Sequence, residues 1–125
     1  MKSLPIILAV LIAAVLFTQK NVGGYKSIPQ DEAKEMMDNG NVIILDVREK
    51  SEYDSGHIKG AVLLPVGNIN AETAAKIIDN KESIVLVYCR SGNRSKKASA
   101  TLAKLGYKNI YEFGGINSWK YDVEY

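Results

Sequence analysis

The feature that most constrains the fold is an alternation of apolar runs and helix-like segments from Tyr25 onward. Two of the runs, NVIILDV (41–47) and SIVLVY (83–88), contain almost no polar residues. Such continuous apolar runs are typical of strands that are buried on both faces of a parallel sheet. Because helix-like segments separate the runs, the sequence predicts an α/β fold, an open parallel sheet flanked by helices on both faces.

The other elements are assigned from shorter patterns. Pro29 at a helix start, Asn70 as a possible N-cap, and Gly40 and Gly106 just past helix ends are typical boundary residues. Three more strands are predicted, YKSI (25–28), AVLLP (61–65) and NIYEF (109–113). The predicted helices are PQDEAKEMMDNG (29–40), NAETAAKIIDN (70–80), SKKASATLAKLGY (95–107) and a short closing helix in GINSWKY (115–121).

The first 24 residues differ from the rest. Leu4 to Phe17 carry no charged or polar side chain, and as a helix this run would span about 21 Å, short of the roughly 30 Å core of a bilayer. Residues 1–24 are therefore predicted to be a signal peptide or, if uncleaved, a membrane anchor, with a buried helix as the third alternative. Cleavage after Val22-x-Gly24 would release a domain of residues 25–125. Both leading alternatives predict an extracytoplasmic domain, in the periplasm or cell envelope, secreted or anchored.

Composition excludes several classes of function. Sixteen basic and 14 acidic residues give a net charge of +2, too small to predict a nucleic-acid partner. The single cysteine excludes an intramolecular disulfide and a metal site built on paired cysteines. Membrane contact is expected only through residues 1–24. Few apolar runs are expected to be exposed, which favours a monomer.

The single cysteine, Cys89, follows the SIVLVY strand directly and opens the stretch CRSGNRS (89–95). Ligands of open parallel sheets bind beyond the carboxyl ends of the strands, which is where this residue lies. Asp46 and Arg48 close the neighbouring apolar run, so we expect them at the same edge as supporting residues. As a hypothesis, one or both of them reach the loop and hold it open.

Two features of this stretch favour a thiolate over an inert, buried thiol, the alternative for any free cysteine. A thiol with its ordinary pKa near 8.5 is mostly protonated at neutral pH. Here a helix begins near Asn93 to Ser95, so free N–H groups and the positive end of its dipole face the sulfur. Arg90 and Arg94 add two fixed charges, and Gly92 allows the loop to curl into an anion-binding nest.

The stretch CRSGNRS resembles the active-site loop of single-domain rhodaneses, the thiosulfate sulfurtransferase family. LDVREKSEYDSGHIKGAVLLP (45–65) is similar to the family's upstream signature, and LGYKNIYEFGGINSW (105–119) to its closing one. The resemblance implies a rhodanese-like open parallel sheet of about five strands, with Cys89 as the catalytic residue. It also implies a substrate-binding loop formed by Arg90, Ser91, Gly92, Asn93, Arg94 and Ser95.

By the same resemblance, the Cys89 thiolate would take the outer sulfur of an anionic donor such as thiosulfate and become a persulfide. Cyanide or a thiol would then accept the sulfur. The expected partners are therefore a small anionic donor and a thiol acceptor, and such a transfer needs no metal or organic cofactor. The alternative is a non-catalytic sulfane-sulfur carrier or redox-sensing module that uses the same loop.

The spacing of the loop argues against a related class of enzyme. Protein tyrosine phosphatases place five residues between cysteine and arginine, whereas four separate Cys89 from Arg94. We expect Arg94 to tie the loop to carbonyls or to an acid, and Arg90 to contact substrate. By the resemblance, His57 serves the fold rather than the chemistry. Lys96 and Lys97 form a solvated face or steer anions, and Tyr107 and Trp119 are expected in the core.

Overall fold

The structure is a computed structural model that describes residues 24–125. The prediction of a signal peptide or anchor over residues 1–24 lies, apart from Gly24, outside the described residues. Within the described part of the chain, no helix has both the length and the apolar character needed to cross a membrane.

Short connections join alternating strands and helices. The strands are β1 (Lys26–Ser27), β2 (Val42–Asp46), β3 (His57–Ile58), β4 (Val62–Leu63), β5 (Ile84–Cys89), β6 (Asn109–Gly115) and β7 (Val123–Glu124). The helices are α1 (Gln30–Asn39), α2 (Lys50–Asp54), α3 (Ala71–Ile77) and α4 (Asn93–Lys104). Two 3-10 turns span Val66–Asn68 and Ile116–Ser118.

The main sheet has five strands in the order β1-β6-β5-β2-β4, and every neighbouring pair is parallel. This confirms the predicted sheet of about five strands. The central strands β5 and β2 are the two apolar runs of the sequence, because a strand with neighbours on both sides and helices on both faces has no exposed surface. Their carboxyl ends, at Cys89 and Asp46, lie at one edge of the sheet.

Helices cover both faces of this sheet. On one face, Ala74 of α3 and Leu102 of α4 pack against Val85 and Val87. On the other, Ala33 of α1 packs with Leu86. Apolar side chains of adjacent strand positions point to opposite faces, so β5 supplies both cores. Tyr107 is buried in the first cluster and Trp119 packs, half-buried, against the second, which agrees with their expected place in the core.

Three short elements differ from the sequence expectations. α2, β3 and β7 were not predicted, because two-residue strands and a five-residue helix carry too little periodicity to be recognised. α2 begins with a capping box between Glu49 and Glu52. The closing helix expected in residues 115–121 is present only as the 3-10 turn Ile116–Ser118: β6 continues through Gly115, and after the turn the chain returns to pair β7 with β3.

Candidate active site

The loop after β5 is formed by a sharp change of backbone direction. β5 buries all its residues from Val85 to Cys89, and α4 begins only four positions later, at Asn93. The turn between them depends on Gly92, whose φ of 111° lies in the left-handed region that favours glycine. This geometry brings the first turn of α4 back toward the cysteine, as the sequence predicted.

The sulfur of Cys89 lies within a set of hydrogen-bond donors. The Gly92 N–H donates to Sγ at 3.0 Å, and the Ser95 hydroxyl lies 3.5 Å from Sγ. Burial by itself raises the pKa of the Cys89 thiol. Hydrogen bonds from the Ser95 side chain and from the backbone of Ser95, Gly92 and Ser91 outweigh it, so the net pKa is lowered. The loop therefore favours an anion at the sulfur.

The loop rests directly on β6. Cys89 is in register with Gly115, and the Asn117 N–H donates to the Arg90 carbonyl at 3.1 Å. A Cβ at Gly115 would lie 2.0 Å from the Arg90 carbonyl oxygen and 2.5 Å from the Ser91 nitrogen. Real Cβ atoms essentially never approach so closely, so only glycine allows this contact. Reasoning from the residues alone missed this role of Gly115.

A buried carboxylate, Glu112, lies beneath the loop and was also missed. It is 2% exposed, and its Oε2 accepts hydrogen bonds from the Gly114 N–H at 2.7 Å and the Ser95 hydroxyl at 2.8 Å. Its Oε1 accepts from the Ser27 hydroxyl at 3.0 Å. The sequence did contain one signal for this role, an acidic residue inside the NIYEF strand. Acidic residues are rarely buried unless they are paired, so a buried one is expected to have hydrogen-bond partners.

Arg94 is bonded to α2 and not to the sulfur. Its guanidinium forms two hydrogen bonds with Glu52, at 2.8 and 3.0 Å. Of the two expected partners, carbonyls or an acid, the structure shows the acid. The hydrogen bond from Arg94 is the main cause that lowers the pKa of Glu52 to about 2. Arg94 thus ties the start of α4 to α2.

The remaining loop residues face solvent. Arg90, Ser91 and Asn93 are exposed. Arg90 borders an open cavity of about 360 Å³ beside the loop, which Arg48, Glu52, Ser55, Gly56, Ile116, Asn117, Val123 and Tyr125 also line. A cation at the mouth of such a cavity can attract an anion.

Asp46 and Arg48 form a buried ion pair at the end of β2. The Arg48 guanidinium donates to Asp46 at 2.7 Å and to the Gly56 carbonyl at 2.7 Å. Tyr88 donates its hydroxyl to Asp46 at 2.5 Å and accepts the Ile58 N–H at 3.0 Å. Among the described residues, no hydrogen bond joins either ionic side chain to residues 89–95. Their expected support of the loop therefore stays a prediction.

The single histidine has structural neighbours. His57 stacks on Tyr53 with ring centroids 3.7 Å apart, and its Nδ1 lies 2.9 Å from the Tyr53 carbonyl oxygen. Its Nε2 lies 3.5 Å from Glu124 of β7. Within residues 24–125, no cluster of His, Cys, Asp and Glu side chains is arranged to hold a metal ion.

Comparison with known proteins identifies the family of this chain. The sequence model of the family described as "Rhodanese-like domain" matches residues 29–122, more than half of the chain. The chain belongs to the rhodanese-like domain family. This match contains the whole of the Cys89 loop, Glu112 and Gly115.

Two curated relatives match this chain over part of their own length. A Schizosaccharomyces pombe protein named "Putative thiosulfate sulfurtransferase, mitochondrial" is 43% identical over 91 residues, which are 63% of this chain and 61% of that protein. The tRNA uridine(34) hydroxylase of Photorhabdus laumondii is 32% identical over 104 residues, 80% of this chain but 29% of that protein. The rhodanese-like chain thus spans less than two thirds of either relative.

Solved structures share the fold. A rhodanese from E. coli with anions is 28% identical and superposes with a TM-score of 0.61 over 66% of this chain and 95% of that one. A Bacillus halodurans protein is 26% identical, with a TM-score of 0.68 over 93% of this chain and 83% of that one.

Proposed function

We propose that this rhodanese-like domain is a sulfurtransferase that carries a sulfane sulfur on Cys89. The observation that supports it most strongly is the loop itself. The Cys89 sulfur is buried, yet hydrogen bonds from the Ser95 side chain and from three backbone N–H groups lower the pKa of its thiol. A thiolate is the reactive form of cysteine, and the same donors can stabilise any anion formed at this sulfur.

The proposed reaction has two displacements at sulfur. In the first, the Cys89 thiolate attacks the outer sulfur of thiosulfate, and the bond between its two sulfurs breaks. Sulfite leaves with the bonding electron pair, and Cys89 becomes a persulfide. In the second, cyanide or a thiolate attacks the terminal sulfur of the persulfide, and the Cys89 thiolate leaves. No net oxidation occurs, because one S–S bond replaces another in the first step and the acceptor takes the sulfur in the second.

Most of the loop residues have a role in this proposal. The loop N–H groups stabilise negative charge on the cysteine and on the persulfide, because they are fixed in place before the reaction begins. The exposed guanidinium of Arg90, at the edge of the cavity, attracts the donor anion. Arg94 keeps the first turn of α4 in place through Glu52.

The comparisons support the sulfurtransferase class more than any finer assignment. The S. pombe relative carries a sulfurtransferase name, and the E. coli rhodanese holds anions. The hydroxylase name belongs to proteins of which this chain covers 29%, so it is not carried over to this domain. For the setting of the activity we propose an extracytoplasmic monomer. The apolar run Leu4 to Phe17 supports export, and N-terminal sequencing of the exported protein would test cleavage.

Mass spectrometry after thiosulfate treatment tests the proposal. The wild-type chain should gain one sulfur atom, and Cys89→Ser should gain none. A parallel assay with cyanide should give multiple turnovers. Sulfur loading without turnover would favour the carrier or redox-sensing alternative, and no loading at all would contradict both.

The role of Arg90 can be separated from the reactivity of the thiol. Arg90→Gln should slow sulfur loading from dianionic thiosulfate by about tenfold, an effect of steering and charge, and change alkylation by neutral iodoacetamide much less. Lys104→Gln, at the far end of α4, is the matched control, because it removes one exposed positive charge away from the loop. An equal loss for both reagents would contradict an electrostatic role.

A further inference from the structure

The Ser95 hydroxyl lies between the nucleophile and a buried carboxylate. Its oxygen is 3.5 Å from the Cys89 sulfur and 2.8 Å from Oε2 of Glu112. Ser95 is 0% exposed and Glu112 2%, so neither side chain has solvent as an easy alternative partner. The mechanism above uses the hydroxyl only as a donor to sulfur, and it does not use the carboxylate.

A hydroxyl has one proton to donate. Besides the cysteine, the acceptors around the Ser95 oxygen are Glu112, the Gly92 carbonyl at 2.9 Å and the Gly114 carbonyl at 3.4 Å. At neutral pH, a carboxylate is the strongest hydrogen-bond acceptor among these groups. While Cys89 is a thiol, its S–H can donate to Ser95, and Ser95 donates to Glu112. Once Cys89 is a thiolate, its sulfur needs the same Ser95 proton.

We propose that Glu112 is a positioning residue that controls the ionisation of Cys89 through Ser95, by competing with the sulfur for the single proton of that hydroxyl. In the thiol and in the persulfide, Sγ is not the anion, so Ser95 donates to Glu112. In the free thiolate, Ser95 turns to the sulfur and Glu112 loses a hydrogen bond. Glu112 therefore disfavours the free thiolate relative to both other states.

This role deepens the proposed function, because it biases the site toward its sulfur-loaded state. Two like charges separated by a single hydroxyl also repel, which adds to the same bias. The carboxylate is held for this role by two further donors, the Gly114 N–H and the Ser27 hydroxyl. Removing the charge at Glu112 should therefore make Cys89 more acidic, whereas removing the hydroxyl at Ser95 should make it less acidic.

The other charged groups around the cysteine stay constant in such a comparison. They include Arg90 and Arg94 of the loop, Glu52 of α2, which is bound to Arg94, and the exposed Lys96 and Lys97 of α4. At the end of β2 the charges are those of the Asp46–Arg48 pair, to which Tyr88 of β5 donates. The contacts from β1 and α1 to this region come from the neutral side chains of Ser27 and Gln30.

Alkylation of the full-length chain by iodoacetamide, followed across pH, tests the proposal without any sulfur transfer. For Glu112→Gln, which keeps the shape of the side chain, we expect the apparent pKa of Cys89 to fall. The alkylation rate below the wild-type pKa should rise several-fold. For Ser95→Ala we expect the opposite, a higher apparent pKa and a several-fold slower reaction.

Two matched variants serve as controls. Ser99→Ala removes another buried hydroxyl of α4, one without a hydrogen-bond partner in the described part of the chain. Glu82→Gln removes an exposed carboxylate, paired with Lys108, before the start of β5. Both should leave the pH profile of alkylation unchanged.

The opposite directions of the two expected pKa shifts distinguish this role from simple support of the loop. If Glu112 only braced the structure, both Glu112→Gln and Ser95→Ala would slow alkylation, and that result overturns the proposal. A wild-type profile in Glu112→Gln overturns it as well. If Glu112→Gln does not fold, Glu112→Asp is the substitute variant. It moves the carboxylate away from Ser95 by one methylene, so the apparent pKa of Cys89 must fall, by less than is expected for Glu112→Gln. Loss of thiosulfate loading with the expected alkylation profiles would count against the sulfurtransferase function alone.

Discussion

The ends of β2 and β5 lie side by side at one edge of the sheet, but their charged and polar groups are arranged in opposite ways. At the end of β2, the Asp46 carboxylate is neutralised by Arg48, whose side chain is only 6% exposed. At the end of β5, several N–H donors converge on one sulfur, and neither of the nearby arginines is bonded to it.

The difference shows which of the two strand ends can stabilise an anion at a single atom. In the β2 network each ionic group has its partner, and Tyr88 and the Gly56 carbonyl add further hydrogen bonds. Such a network can stabilise the fold, because its carboxylate and guanidinium are bonded to each other. The β5 loop directs its donors at the sulfur that, in the proposed function, changes partners during the reaction. Four predictions test this contrast, from the largest expected effect to the smallest.

The first concerns the closed network. Asp46→Ala leaves the Arg48 charge buried without a partner, and removing one member of a buried pair costs about 3–5 kcal/mol of unfolding free energy. Urea unfolding measures this. The exposed pair of Lys50 and Asp54 is the control, and Asp54→Ala should cost less than about 1 kcal/mol. If folded Asp46→Ala also alkylates at an altered rate, Asp46 supports the loop after all and the contrast weakens.

The second concerns the contact beneath the reactive loop. Gly115→Ala places a methyl group 2.0 Å from the Arg90 carbonyl oxygen, so the loop backbone must move. A displacement of about 1 Å can cost roughly 100-fold in rate, which we expect for sulfur loading. Gly67→Ala is the control, because its Cβ would meet no atom within 4 Å. Wild-type loading by Gly115→Ala would show that the loop does not depend on this contact.

The third concerns the ion pair that joins the loop to α2. The pKa of Glu52 is lowered to about 2 from 4.5, mainly by the hydrogen bond from Arg94. A lowered carboxyl pKa contributes stability that is present above about pH 4.5 and is lost as the pH falls toward 2. Because solvent partly screens the pair, Glu52→Gln should cost about 1 kcal/mol at pH 7. The difference from wild type should vanish on acidification, and a constant difference in urea unfolding would contradict this account.

The smallest effect is expected at His57. Its ring contacts Tyr53 and Glu124 rather than the loop, so His57→Gln should leave the rate and pH profile of Cys89 alkylation unchanged. A shift in the profile would make the histidine part of the reactive strand end.

The elements with strong local patterns could be predicted from the sequence. β2 up to Leu45 and β5 are apolar because both of their faces are covered, and this pattern alone placed Cys89 and Asp46 at the carboxyl edge of the sheet. Asn70 as the N-cap of α3 was equally readable, since its side chain accepts the Thr73 N–H. The nest around Cys89 followed from Gly92 and the nearby helix start, because both are local features of the chain.

Only the tertiary structure decided which side chains meet across long separations. Arg94 is bonded to Glu52, 42 positions away, and Ser95 to Glu112, 17 positions away. The close approach of Gly115 to the loop also depends on the pairing of β6 with β5. Local patterns of polarity and backbone preference depend on neighbouring residues in the chain. The partner of a buried charge depends instead on how separate elements pack together. The sequence by itself therefore determined the sheet and the place of Cys89 at its edge, and the fold decided what surrounds the sulfur.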